Sequence, residues 1–108
     1  METHETHDVV RLRLARGVDA QVLRRLHSDG LSAEVPAELR ELFASVDARK
    51  LRGIYPLQEA DFVEDAYGFA REFELALGGG VGSDEALARL CGSALVEAAR
   101  PLRLEGPA

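Results

Sequence analysis

Residues 57–77 read LQEADFVEDAYGFAREFELAL, and the fold turns on how that run is taken. Phe62, Ala66, Phe69, Phe73 and Ala76 recur at steps of four and three, and Val63, Tyr67, Ala70 and Leu77 follow one residue behind. This periodicity predicts one amphipathic helix with an apolar face wider than a surface helix of a small monomer needs. Such a face meets a domain core or a second chain. Gly68 lies within the run at a cost of about 1 kcal/mol relative to alanine in a helix, a hint that another backbone passes close by. Asp61, Glu64, Asp65 and Glu72 form an acidic row along the same segment. Its plain reading is a solvated helix face; its functional reading is an electrostatic strip for a basic partner.

Upstream, Val10, Leu12 and Leu14 alternate with Arg11 and Arg13, a pattern that favours a strand, although Asp8 and Gly17 could cap a short helix that would scatter these apolar residues around its axis. Asp19 is a good N-cap for a helix reaching Ser28, with Val22, Leu23 and Leu26 inward and Gly30 ending it. Pro36 suits the start of a further helix whose apolar face is Leu39, Leu42, Phe43 and Val46. Asp47 offers a cap for one more turn, Ala48 to Arg52, before Gly53 and Pro56.

Downstream, Gly78-Gly79-Gly80 reads as a hinge-like connection through 82. Ser83 then starts a last helix, with Asp84 and Glu85 complementing its dipole and Leu87, Leu90, Cys91, Ala94, Leu95 and Ala98 on one face. Pro101 closes it, and the tail at 101–105 alternates in a way that could pair with residues 9–15. The expectation is therefore a mainly α domain of three or four helices over 9–105, with that short β-pair as an option and flexible tails at 1–8 and 106–108. Its core would be Leu23, Leu26, Leu39, Leu42, Phe43, Val46, Phe62, Val63, Ala66, Phe69, Ala70, Phe73, Leu87, Leu90, Cys91, Ala94 and Leu95.

The chain has 108 residues, enough for one domain, and its 46 % apolar and 30 % charged residues argue against global disorder. One cysteine permits no internal disulfide, which is compatible with a reducing compartment. No secretory pattern opens the chain, and no apolar run approaches the ~20 residues of a membrane helix, so the sequence reads as cytoplasmic. The net charge is −6, and residues 31–80 hold ten acidic side chains against five basic. That field disfavours nucleic acid and gives no reason to expect a membrane partner.

The candidate sites each have a bland explanation. His4-Glu5-Thr6-His7 has one residue where the zinc-protease motif needs two between its glutamate and second histidine, so a solvated tail accounts for it. His27 sits beside Arg24 and Arg25 with no catalytic partner nearby in sequence. Cys91, among leucines and alanines, reads as a core thiol. The glycine run lacks the lysine of a phosphate loop. Arg11, Arg13, Arg16, Arg24 and Arg25 form the one basic concentration, without accompanying aromatics. No helix-turn-helix fits the long gap between Ser28 and Pro36.

These observations favour a small non-catalytic protein–protein interaction module: an accessory subunit, an adaptor, or an inhibitor or immunity-type partner. It would engage another protein chain or itself through Asp61, Glu64, Asp65, Phe69, Glu72 and Phe73. No catalytic residue, metal ligand or cofactor is expected. The rival is a small enzyme or ligand-binding domain with a pocket between helices, drawing on His27, Cys91, Tyr55 and Tyr67.

Overall fold

A computed structural model describes residues 9–64 and 67–102, Glu64 by its backbone alone. Four strands form one antiparallel sheet: β1 (Val9–Leu14), β2 (Ala48–Gly53), β3 (Glu72–Leu77) and β4 (Val96–Pro101), in the order β2-β3-β1-β4. Four helices accompany them: α1 (Ala20–Asp29), α2 (Ala37–Ser45), α3 (Glu59–Glu64) and α4 (Ser83–Cys91). The chain is thus mixed α/β, and the expectation of a mainly helical bundle is wrong.

Connectivity explains the arrangement. The α1–α2 unit carries the chain from β1 to β2, leaving a slot that β3 fills. The α4 connection carries it from β3 to β4, leaving the slot that β1 fills. Two such interlocked crossovers make the split β-α-β plan of ferredoxin-like folds.

The decisive correction falls on 57–77. Among the described residues of this run only Glu59–Glu64 is α-helical; Phe69–Arg71 is a single 3-10 turn and Glu72–Leu77 is a strand. Gly68 breaks the run, standing in the left-handed region at φ 74°, which glycine adopts without the Cβ clash other residues meet. Beyond it, Phe73, Leu75 and Leu77 are fully buried while Glu72, Glu74 and Ala76 take the other face. A short window of apolar residues matched both periods, and pairing with β1 on one side and β2 on the other settled it.

Two further stretches follow the same lesson. Residues 48–52, expected as a helical turn stopped by Gly53, lie in the strand β2. The last helix stops at Cys91, ahead of β4, so Cys91 and Ala94 are exposed rather than in the core. The C-terminal partner of β1 is Val96–Pro101, continued by the Leu102 amide donating to the Val9 carbonyl at 2.8 Å. The expected pair at 101–105 is therefore met at 101–102 but begins earlier; residues 103–105 lie outside the described residues.

Other expectations hold locally. Val9–Leu14 is a strand, with Val10, Leu12 and Leu14 inward. Asp19 caps α1, its Oδ2 accepting from the Gln21 amide at 3.0 Å. The core gathers these β1 residues and Phe73, Leu75, Leu77, Leu51 and Val96 of the other strands. Against them pack Val22, Leu23 and Leu26 of α1, Leu39 and Phe43 of α2, and Ala86 and Leu90 of α4. The helices therefore share one side of the sheet. Among the described residues no helix covers the other. The glycine run is tied down: the Gly78 amide donates to the Asp47 carbonyl at 2.8 Å and the Gly80 amide to Asp47 Oδ2 at 2.7 Å.

No described helix is long and apolar enough to cross a membrane. The expected tails at 1–8 and 106–108, and the His4–His7 motif, lie outside the described residues.

Candidate functional site

The strand pleat that sends leucines and Phe73 into the core sends charged side chains to the uncovered face. Register places Arg11 opposite Glu74, Arg13 opposite Glu72 and Arg52 opposite Glu74. Glu72 is the centre of the network at 6 % exposure. Its two oxygens receive Arg11 Nε at 3.1 Å and the Arg13 guanidinium. A buried carboxylate needs such partners, because desolvation without them would drive it neutral. Arg52 Nε meets Glu74 Oε1 at 2.9 Å.

Arg71 anchors one end of the face from below. It is 2 % exposed, and its Nη1 donates to the Leu14 carbonyl at 2.8 Å and to Glu97 Oε1 at 2.5 Å. That hydrogen bond, with the charges of Arg71, Arg13 and Arg16, holds the Glu97 carboxyl below the ordinary glutamate range. A Cβ on Gly68 would lie 2.9 Å from Arg71 Nη2 and 3.1 Å from Arg13 Nη1. What passes close to Gly68 is thus a pair of guanidinium groups.

At one margin the face turns aromatic. Arg11 Nη2 donates to the Tyr55 hydroxyl at 2.7 Å, and its bond to Glu72 raises the guanidinium pKa further. The Tyr55 ring lies 4.5 Å from Phe69, which stacks on Tyr67 at 5.4 Å. Tyr67 is 73 % exposed and Phe69 37 %. Beside Arg11, on the β4 side, a groove of about 400 Å³ is lined by Arg11, Arg13, Glu72, Ala98, Ala99 and Arg100.

A second, shallower groove of about 530 Å³ runs past Arg24, His27, Arg52, Tyr55 and Phe62. His27 Nε2 lies 2.7 Å from the Ala70 carbonyl, and its ring packs 4.4 Å from Phe73 and edge-on to Phe62 at 5.6 Å. Burial pushes this imidazole below its ordinary pKa, against the opposing pull of the Ala70 carbonyl.

The residues expected to share one helical docking face are dispersed. Phe73 is wholly buried in the core, so its ring is not part of the surface. Phe69 is on the aromatic margin and Glu72 is inside the ion-pair network. Asp61 accepts from the Gln58 amide at 2.8 Å, as a local cap on α3. Asp65 and the Glu64 side chain lie outside the described residues. The side chains offered to an enzyme are also separated: His27 and Tyr55 border the second groove, Tyr67 the aromatic margin, and Cys91 the end of α4. Among the described residues no three metal-ligating side chains converge.

The sequence pattern does not single out Lys50, Arg52 and Arg100, and points to Tyr55 only for a pocket between helices. The alternation in Glu72–Leu77 was the signal available, because a strand there makes its neighbours' charged residues coplanar. Comparison with protein-family models, with characterised proteins and with solved structures finds no match.

Proposed function

We propose that this chain is a non-catalytic protein-binding module that docks the open face of its sheet on another protein. The observation that carries this reading is Glu72, clamped between two arginines on a face no described helix covers. The clamp fixes both guanidinium groups in place, so little side-chain freedom remains to be lost on binding.

Size supports a surface that includes the aromatic margin. Four strands of six residues span roughly 20 by 20 Å at ordinary strand spacings. That is about half the ~800 Å² per partner of a standard stable interface. Tyr55, Phe69 and Tyr67 extend it, and aromatic residues are enriched where interfaces are strongest.

Lys50 makes the reading testable, since it is the only lysine in the chain and its strand register puts it on the open face. The protein is isolated from its own cells under gentle conditions, weighed intact, and treated with an amine-reactive cross-linker. The expected result is a stoichiometric companion joined through Lys50. A companion that leaves Lys50 fully reactive, or the chain isolated alone, would refute the proposal.

A further inference from the structure

The charge of the molecule is unevenly placed. The chain as a whole stands at −6, yet its four strands carry six basic and three acidic side chains. On the open face Glu72 and Glu74 are already matched by Arg11, Arg13 and Arg52. Lys50 and Arg100 are exposed and make no ion pair among the described residues.

One cross-strand pair runs against the usual rule. Arg11 of β1 stands directly opposite Arg100 of β4, and like charges in that position destabilise a sheet. Between them opens the groove described above, where Ala98 faces Arg13 and leaves room for a guest group. Arg11 is already bonded to Glu72 and Tyr55, so an anion seated there would chiefly give Arg100 the partner it lacks among the described residues. Arg11 and Arg13 together outweigh the Glu72 carboxylate nearby.

We infer that the groove between Arg11 and Arg100 receives a carboxylate from an acidic surface of a different protein. Lys50, toward the opposite end of β2 from Tyr55, takes a second acidic group, and the Tyr55–Phe69–Tyr67 row beside Arg11 is covered by an apolar side chain. A second copy docked face to face would stack two positive faces and set arginines against arginines, so charge argues against it. The inference rests on the docking reading and adds the chemistry of the partner.

A six-residue glutamate peptide, its lysine counterpart and a six-nucleotide single-stranded DNA serve as probes for the full chain, followed by backbone amide shifts. The glutamate peptide is expected to perturb Arg11, Lys50 and Ala98–Arg100, and to weaken about tenfold between 50 and 300 mM salt. Lys50→Glu with Arg100→Glu should lower its affinity at least about tenfold; Glu38→Lys with Glu41→Lys on α2 should change it less than about twofold.

Equal losses in both pairs, or shifts scattered away from the face, would overturn the inference. So would tighter binding of the DNA at the same residues, or a dimer of the free chain that the sheet pair dissociates. A natural companion that protects Lys50 but binds independently of salt would sink the carboxylate assignment and leave docking intact. Failure to find any companion removes the docking reading itself.

Discussion

Gly53→Ala tests the packing that joins the two sides of the molecule. Gly53 lies outside the left-handed region, so the backbone itself accepts alanine. The obstacle is His27: an added Cβ would overlap its Nδ1 and Cε1 and lie 3.4 Å from its Cγ. The imidazole can step aside only by giving up its contacts, because Phe73 and Phe62 flank it and the Ala70 carbonyl holds its Nε2. Displacing it forfeits a hydrogen bond of about 1 kcal/mol and two ring contacts of roughly 0.5–1.5 kcal/mol each. Stiffening the unfolded chain returns about 0.5–1 kcal/mol.

The expected net loss is about 1–3.5 kcal/mol, or roughly 5–25 °C in Tm for a domain of this size. Urea denaturation followed by circular dichroism measures it. The decisive control is the same substitution in a His27→Ala background, where the space is open and the change should be neutral or slightly stabilising. The coupling between the two sites then equals nearly the whole effect. A Gly53→Ala protein within about 0.5 kcal/mol of wild type, or an equal loss in both backgrounds, would refute the packing argument.

The same imidazole sets a pH window. Its folded pKa is depressed, so the folded state binds the proton less tightly than the unfolded chain, whose value is about 6.5. Stability is therefore complete above about pH 6.5 and declines as pH falls through the lower folded value; His27→Gln should remove that decline in a urea series. A second acid window belongs to Asp47 and Glu97, both held below their ordinary values, Asp47 chiefly by the Gly80 amide and Glu97 by Arg71. Their contribution is present above the unfolded carboxylate range and lost as pH falls through the folded values; Arg71→Met should shrink the Glu97 part. Asp47→Gly relieves its left-handed φ of 58° but cuts the loop anchor, so the Gly80 amide should exchange faster with solvent while core amides do not. Phe69→Asp, at a 37 % exposed ring, should leave the fold intact and abolish companion binding; an unfolded variant would show that the aromatic margin is structural.

How much of this was legible depends on which residues carry local information. The Asp19 cap, the Gly30 stop and the alternation in Val9–Leu14 are local devices, and each could be read directly. The charged outer face of β1 was legible for the same reason, since Arg11 and Arg13 follow from the strand. Residues 57–77 were not. Their apolar spacing satisfies a helix as well as a strand, and the choice was made by β1 and β2, which flank β3 from distant parts of the sequence. Once β3 was taken for helix, Glu72 looked like one member of an acidic row, and its two arginine partners, about sixty positions upstream, had no reason to be sought.

The sheet's edges are obstructed at particular positions, which favours the open face as the docking surface. An edge strand with free amides and carbonyls invites another chain to add to it. The outer edge of β2 is shadowed by the turn at Gly30, where a Cβ would already stand 2.9 Å from the Leu51 carbonyl. On β4 the Cys91 thiol reaches the Ala99 carbonyl at 3.6 Å, and Pro101 has no amide to offer. With each edge obstructed at these points and the core side covered by helices, the charged face is the broadest surface the sheet offers a partner. A partner there finds fixed side chains, not a backbone ladder. Affinity must then respond to charge reversal at Lys50 and Arg100, and scarcely at all to proline placed along β4's outer rim.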